Sequence, residues 1–311
     1  MTVRFEIRAL AALAALLMCA AGGLAAEISA KPKVRAITAF VHLDRDRFQS
    51  QIDEAVRMLR QAKAAIEQGG YEVETIRITT QPFPEYTRGL ARTEALEFLR
   101  HFDELAAKES FDPNVGPALL HETSDSAPAE LLAELLSTTK LSGSIVIAGS
   151  EGIRWKNLRA AAKLIKTVSE RSPHSQGNFN FAATAMLQPY APFYPGSYHT
   201  GAGKQFAVGL ESAKVVEQAL SGADGPDPAL QRLTSALTPH LRAIETIAQR
   251  IQQQTGWAYM GIDTTPVPLK DVSIGTAIEK FTGRAFGSSG TLTAAAVITK
   301  AIQSMPVKRV G

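Results

Sequence analysis

The chain has 311 residues, of which 45% are hydrophobic and 20% are charged, and its formal net charge is only +3. This composition is typical of a soluble globular protein, and it excludes an intrinsically disordered chain, a collagen and a protein with many membrane spans. The near balance of 33 basic and 30 acidic residues gives no electrostatic reason to expect nucleic-acid binding.

The first 26 residues have the three-part pattern of a secretory signal peptide. Arg4 and Arg8 precede a charge-free apolar stretch over residues 9–21, and small residues follow up to Ala26. Because the stretch is shorter than the roughly 20 residues that span a membrane, we expect cleavage, a periplasmic or secreted product and no membrane attachment afterwards. The only cysteine, Cys19, would be removed, so disulfides and thiolate chemistry are excluded from the mature chain.

Predicted strands and helices alternate along the remaining residues. Strand patterns rich in β-branched and apolar residues occur at 34–43, 71–80, 115–121, 144–148, 179–187, 206–210 and 257–262. Helical spacing of apolar residues occurs at 48–66, 90–109, 128–138, 155–171, 229–254, 273–282 and 291–304. A further helix is expected between the strand at 206–210 and about residue 220. This order predicts a single α/β domain over residues 27–311, with mainly parallel strands covered by helices.

In parallel α/β folds, ligands bind where the loops leave the carboxyl ends of the strands. The corresponding loops are expected to begin at Leu43, Thr80, His121, Gly149, Gln188, Glu211 and Ile262. Known motifs are absent from these loops. The chain has no G-x-G-x-x-G dinucleotide fingerprint after a strand, and His121-Glu122 lacks the second histidine of a zinc protease. We therefore predict no metal site, and the sequence leaves the cofactor unknown.

Residues 178–199 form the first candidate segment. Asn178 and Asn180 alternate with phenylalanines on a predicted strand, where their side chains would share one face and bind a ligand. A loop rich in proline and aromatic residues then leads to Tyr198 and His199. Tyr198 could line a ligand pocket, and His199 could be a general acid or base. Alternatively, the segment is an aromatic plug, with His199 in a structural hydrogen bond.

Two further segments could contribute to the same site. Asp263 follows a predicted strand and could orient His199, act as a base or bind a cation, although a carboxylate there also commonly caps a turn. The turn formed by Gly287, Ser288, Ser289, Gly290 and Thr291 opens a predicted helix. Its N–H groups and hydroxyls could bind an anionic group, or Ser289 or Thr291 could simply cap the helix.

Three stretches resemble the domain-of-unknown-function 711 family (DUF711). They are Val34–Phe40 (VRAITAF), Asn178–His199 (NFNFAATAMLQPYAPFYPGSYH) and residues 257–292, which begin WAYMGIDTTPVP and end FTGRAFGSSGTL. The resemblance covers most of residues 33–305. It implies an α/β barrel like that of pyruvate formate-lyase and other glycyl-radical enzymes, but no settled activity.

Two departures from that family shape the functional hypothesis. Glycyl-radical chemistry needs a cysteine, which the mature chain lacks, so radical chemistry is excluded. The family resemblance also implies a chain that continues past Gly311, so the sequence does not decide whether the barrel closes.

We expect an enzyme-like exported protein that acts on a small polar or anionic molecule by acid–base or hydrolytic chemistry, with His199 and Asp263 as catalytic residues. The alternatives are a binding protein without turnover and a truncated, inactive family member. A homo-oligomer is compatible with all three.

Overall fold

The computed structural model describes residues 28–267 and 272–311, so the predicted signal peptide lies outside the described residues. The strands are β1 (Lys33–Val41), β2 (Val73–Thr80), β3 (Asp112–Leu119), β4 (Ser142–Gly149), β5 (Gly152–Ile153), β6 (Phe181–Ala185), β7 (Gln205–Glu211) and β8 (Ala258–Asp263). The helices are α1 (Phe48–Gln68), α2 (Phe83–Tyr86), α3 (Arg92–Glu109), α4 (Ala127–Thr138), α5 (Trp155–Arg171), α6 (Ala213–Ser221), α7 (Pro226–Thr255), α8 (Ile274–Thr282) and α9 (Thr291–Ser304).

All the strands belong to one sheet, in the order β5-β4-β3-β2-β1-β7-β8, with β6 paired to β4. Strands β1, β2, β3, β4 and β6 run parallel. Strand β7 runs antiparallel to β1, and β8 runs parallel to β7. The predicted α/β class, with mostly parallel strands alternating with helices, is confirmed. The architecture is barrel-like, but no ladder between described strands closes the sheet.

The segment before β6 differs from the predicted strand. Residues 173–180 form 3₁₀ turns with a kink at His174 and Ser175, where φ is 52° and 60°, and the strand begins only at Phe181. The prediction that Asn178 and Asn180 alternate along a strand was therefore wrong. The predicted alternation of polar and aromatic residues does occur in the sequence, but Pro173 and the two left-handed residues keep this part of the chain out of the ladder.

The longest helix follows the rules for helix ends. Pro226 stands in the first turn of α7, where a proline loses no intrahelical hydrogen bond, and the helix ends at Gly256 with φ 75°. Its buried stripe includes Leu233, Leu237 and Leu241, as the sequence periodicity predicts. Among the described residues, no helix is both long and apolar enough to cross a membrane.

The two faces of the sheet have different chemistry. On β1 and β2, alternate residues such as Ile37, Ala39 and Ile78 join one hydrophobic cluster with the helices. We call the opposite face the inner face. Its central residues are Thr38, Thr79, Asn114, Ser144 and Thr184, and all of these polar side chains are buried. Successive side chains of a strand point to opposite faces of the sheet. One face therefore contributes to the hydrophobic core, and the other carries a row of hydroxyl and amide groups.

Residues 186–203, which we call the plug segment, cover the inner face between β6 and β7. The Tyr190 ring lies edge-on to Phe40, with 5.3 Å between centroids. The Tyr194 hydroxyl donates to the Ile78 carbonyl oxygen at 2.8 Å, and the Thr79 hydroxyl donates to that of Ser197 at 3.1 Å. This segment contains no Asp, Glu, Lys or Arg, so it covers the polar face without bringing a charge to it.

Candidate functional site

The carboxyl ends of β1, β2, β3, β4 and β6 meet at one edge of the sheet, which we call the carboxyl edge. The loops that begin at His121, Gly149 and Gln188 line one cleft of about 280 Å³ at this edge, as the strand-end rule predicts. The loops after β7 and β8 emerge at the opposite edge, here called the amino edge, because these two strands run in reverse. The expectation that the loops from Glu211 and Ile262 share the site edge was therefore wrong.

His199 lies at the carboxyl edge but is fully buried. Its Nε2 is 3.0 Å from the carbonyl oxygen of Val41, the last residue of β1. Burial lowers the pKa of His199 to about 4, although the hydrogen bond to Val41 opposes the shift. The ring is therefore neutral near pH 7, with the proton on Nε2. Nδ1 is buried and has no hydrogen-bond partner among the described residues, so an acceptor is left unsatisfied.

Asp263 is not close to His199. The β7–β8 register pairs Asp263 with Gly209, which pairs with Ala36 on β1. Ala36 lies five residues before Val41, or about 16 Å at roughly 3.3 Å per residue. The structure therefore does not bring the proposed catalytic pair together. Instead, an Asp263 carboxylate oxygen accepts a hydrogen bond from the Thr265 N–H at 2.9 Å, which is the turn-capping alternative.

The two predicted asparagine ligands also lie away from His199. The Asn178 amide donates to the Ile165 carbonyl oxygen on α5 at 3.2 Å, and its own Oδ1 is buried without a hydrogen-bond partner among the described residues. Asn180 lines a separate cavity at the amino edge. Both positions follow from the kinked turns that replace the predicted strand.

The glycine–serine turn lies between α8 and α9, which pack against α6 and α7 respectively. Its Gly287 N–H donates to the Thr291 hydroxyl at 3.0 Å, and the Ser288 N–H donates to the Ala285 carbonyl oxygen. Gly290 is the N-cap of α9, with no side-chain cap. The expected capping by Ser289 or Thr291 is therefore wrong, and the turn lies outside the carboxyl-edge cleft.

Tyr198 does line the carboxyl-edge cleft, and its hydroxyl donates to the Leu187 carbonyl oxygen at 3.0 Å. Sequence reasoning missed its neighbour Arg154, whose guanidinium binds the Glu151 carboxylate and the Leu120 carbonyl oxygen. A β-hairpin at β4–β5 positions Arg154 there. The two residues of β5 are too few to give a periodic signal, so the sequence offers no pattern for this residue.

Sequence reasoning also missed the polar row on the inner face. The hydroxyls of Thr38, Ser144 and Thr184 are buried, yet none has a hydrogen-bond partner in residues 28–267 and 272–311. An unsatisfied buried hydroxyl costs roughly 1–3 kcal/mol, and native proteins contain few of them. The polar residues of the row alternate with apolar residues in the sequence. The strand segments that contain them were nevertheless interpreted as apolar buried strands. No group of three His, Cys, Asp or Glu residues in the described ranges is arranged to bind a metal.

A family model described as "Uncharacterised ACR (DUF711)" matches residues 28–311, which confirms the predicted resemblance. Similar proteins include a UPF0210 protein of Pyrobaculum islandicum, 28% identical over 267 residues that cover 79% of this chain and 58% of that protein. A UPF0210 protein of Pyrobaculum aerophilum is 26% identical over 262 residues, which cover 78% of this chain and 56% of that protein. The chain therefore spans little more than half the length of these relatives.

Proposed function

The chain belongs to the DUF711 family of uncharacterised proteins, and from that premise we propose that it binds a small polar molecule where the carboxyl-edge cleft meets the inner face. The observation that carries the proposal is the set of buried hydroxyls without partners at Thr38, Ser144 and Thr184. Polar groups buried beneath a cover tend to be satisfied by protein, water or ligand. A ligand with hydroxyl, amide or carboxylate groups would satisfy Ser144 and Thr184, which lie on the paired strands β4 and β6.

The cleft is adjacent to the Thr184 end of this row of hydroxyls. Val146 lines the cleft and is the register partner of Thr184 on β6. On the other side, Tyr198 lines the cleft and precedes His199, whose Nδ1 can accept a hydrogen bond. Neither Thr184 nor His199 lines the cleft itself, so a ligand would reach their polar atoms by extending from the cleft past Val146 or Tyr198, beneath the plug segment.

The proposal is a binding function rather than acid–base catalysis by His199 and Asp263. The imidazole is neutral, its Nε2 is bonded to the Val41 carbonyl, and Asp263 is at the other edge of the sheet. Turnover, if present, would need groups other than this pair. His121, which lines the cleft and is exposed, is the titratable side chain best placed to provide one.

Isosteric substitutions on the inner face test this proposal. Thr184→Val removes a hydroxyl without a partner and should raise the melting temperature of the unliganded protein, because an unsatisfied buried group is removed. Thr79→Val is the matched control on the same face. Its hydroxyl bonds those of Tyr194 and Ser197, so its loss should destabilise the protein by about 1 kcal/mol.

The same proteins are then melted with a panel of polyols, amino acids and short carboxylates. We expect at least one compound to raise the melting temperature of the wild-type protein, because a ligand that binds only the native state stabilises it. That shift should be lost in Thr184→Val and kept in Thr79→Val. The proposal is wrong if Thr184→Val is destabilising, or if its response to the panel matches that of the wild-type protein.

We also propose that the protein is exported after removal of the leader. The support is the charge and apolar pattern of the first 26 residues. Expression of the full chain, followed by cell fractionation and N-terminal sequencing of the product, tests this. We expect a periplasmic or secreted product that begins near residue 27, whereas an intact N-terminus in the cytoplasm would contradict the proposal.

A further inference from the structure

A second cavity, of about 650 Å³, opens at the amino edge. It lies at the amino ends of β3, β4 and β6. The carboxyl-edge cleft lies at the opposite ends of these strands. Its lining includes the basic residues Arg35, Arg77 and Lys140 and the acidic residues Asp103 and Asp112. No residue is shared with the lining of the carboxyl-edge cleft, so this site is independent of the function proposed above.

Arg77 is the unusual residue of this cavity, because it projects from the inner face of β2 and only 8% of it is exposed. Its Nε–H donates to the Thr75 hydroxyl at 3.1 Å, and Nε lies 3.5 Å from an Asp112 carboxylate oxygen. The terminal Nη atoms form no hydrogen bond in the part of the chain that the structure describes. A guanidinium carries five N–H donors in a planar fork, so most of them remain available on the cavity side.

The Arg77 side chain is also held in place. Its guanidinium carbon lies 4.6 Å from the centroid of the Tyr194 ring. The Tyr194 hydroxyl is fixed in turn by the carbonyl oxygens of Ile78 and Asp112, at 2.8 and 3.2 Å. A rigid platform reduces the entropy that the arginine loses when a ligand binds. Burial lowers the pKa of Arg77, as expected for a charge that its neighbours compensate incompletely.

Other donors face the same cavity. Lys140 is exposed, and its ammonium group forms no ion pair within the described ranges. Ser142 and Asn180 line the wall beside it. Arg35 is different, because it is already bonded to Glu74 at 2.9 Å. The acidic residues are also partly engaged, since an Asp103 carboxylate oxygen accepts the Lys140 backbone N–H at 3.1 Å and Asp112 faces the Nε side of Arg77.

We propose that this cavity binds the carboxylate or phosphate group of a small organic anion. The oxyanion binds the Nη fork of Arg77, a geometry that suits planar or tetrahedral oxygen pairs. Lys140, Ser142 and Asn180 supply the remaining donors. The body of the ligand packs on Phe111 and Phe179, and Phe179 is 85% exposed at the cavity rim, so an apolar or aromatic body is favoured.

Calorimetric titration of the full chain tests this site. The probes are 3-phenylpropionate and phenyl phosphate, compared with acetate, inorganic phosphate and the neutral benzyl alcohol. We expect at least one aryl anion to bind more tightly than its small counterpart, and benzyl alcohol not to bind. Arg77→Met should weaken the binding of the aryl anion by about tenfold or more, since hydrogen bonds to charged groups contribute roughly 1.5–3 kcal/mol.

Arg77→Met also removes the packing of Arg77 on Tyr194, so the exposed Lys140→Met variant provides a second measurement that does not depend on this contact. It should fold normally and weaken binding severalfold, with a smaller dependence of the affinity on salt. Arg57→Met and Lys300→Met, on exposed faces of α1 and α9, are the controls and should bind like the wild-type protein.

Three results would overturn the proposal. The first is that no aryl anion binds the wild-type chain. The second is that Lys140→Met and a folded Arg77→Met both bind as tightly as the controls. The third is that acetate and phosphate bind as tightly as the aryl probes, which would contradict the organic ligand. None of these outcomes depends on the Thr184→Val experiment, so the two sites can fail separately.

Discussion

The two edges of the sheet differ in electrical character. At the carboxyl edge, the inner face carries neutral hydroxyls, a neutral imidazole and a plug segment without Asp, Glu, Lys or Arg, and the charged side chains Glu151 and Arg154 in the cleft pair with each other. At the amino edge, Arg35, Arg77 and Asp112 meet Glu74 and Glu211. Of these residues, only Glu211 owes its position at the amino edge to the antiparallel pairing of β7 with β1. A single reversal of strand direction thus separates residues that the parallel-strand rule would place together.

The same contrast appears in the titration of His199, which is buried, and Glu211, which is partly buried. At the carboxyl edge, burial lowers the pKa of His199 to about 4. At the amino edge, burial and the neighbouring Glu74 raise the pKa of Glu211 to about 7, and one carboxylate oxygen of Glu211 has no partner in the described residues. In both cases burial favours the uncharged form of the side chain, so stability should depend on pH in opposite directions at the two edges.

The largest expected effect concerns the plug segment, which spans both edges. Tyr194→Ala should lower the free energy of unfolding by roughly 3 kcal/mol, the low end for truncated buried aromatic side chains, because its partly buried ring packs against Arg77 and its hydroxyl binds carbonyl oxygens. Urea denaturation measures this loss. The neighbouring Phe193 is 51% exposed, and Phe193→Ala should cost less than about 1 kcal/mol. Equal losses would mean that the plug segment is not anchored through Tyr194.

The second prediction concerns pH at the carboxyl edge. The folded pKa of His199, about 4, is below the unfolded value of about 6.5. Its contribution to stability is therefore complete above pH 6.5 and is lost as the pH falls towards 4, by about 3 kcal/mol in total. His199→Gln should show a shallower decline over this window in urea unfolding, whereas His101→Gln at an exposed site should retain the wild-type slope. A slope unchanged by His199→Gln would contradict the buried neutral imidazole.

The third prediction concerns Glu211 at the amino edge, where stability should fall as the pH rises. The folded pKa of Glu211 is raised above its unfolded value, so its contribution to stability is present below about pH 4.5 and is lost as the pH rises through 7. Glu211→Gln should therefore stabilise the protein relative to wild type at pH 8 and have less effect at pH 4. Glu170→Gln on the exposed face of α5 should show no such trend. Thermal melts at the two pH values measure the difference.

The smallest effect is expected at Asp263. Its carboxylate caps a turn through the Thr265 N–H, so Asp263→Asn should change the free energy of unfolding by less than about 1 kcal/mol, because an amide oxygen can accept the same hydrogen bond. It should also leave any ligand-induced shift at the carboxyl edge unchanged. Abolition of that shift by Asp263→Asn would contradict the separation of the two edges.

Much of the fold could be predicted from the sequence, because the helices and buried strands have strong periodic signals. Helix 155–171 and helix 291–304 begin and end at the predicted residues. The direction of β7 has no such signal, because a short apolar strand reads the same in a parallel or an antiparallel pair. The site was predicted less well than the fold because the predicted position of Asp263 beside His199 depended on the direction of β7 and β8.

Particular residues show the same limit. Tyr198 was predicted as a site residue and lines the carboxyl-edge cleft. This cleft is formed at the ends of the parallel strands β4 and β6, whose direction was predicted correctly. Asn180 lies in the amino-edge cavity because a kinked turn replaced a strand. Arg77 was not singled out, because an arginine inside a strand pattern reads as solvent-exposed until the sheet and the plug segment are known to bury it.

The distance between the two edges is the most direct test of this account. Spin labels at Thr200→Cys and Thr265→Cys, both exposed, with Cys19→Ser to remove the only native thiol, mark the surroundings of His199 and Asp263. Dipolar EPR should report a separation on the order of 20 Å, from five residues along a strand and two strand-to-strand steps. Labels at Thr200→Cys and Gln188→Cys, both lining the carboxyl-edge cleft, should be clearly closer. A separation below about 10 Å for the first pair would place the imidazole and the carboxylate in one site and contradict the account.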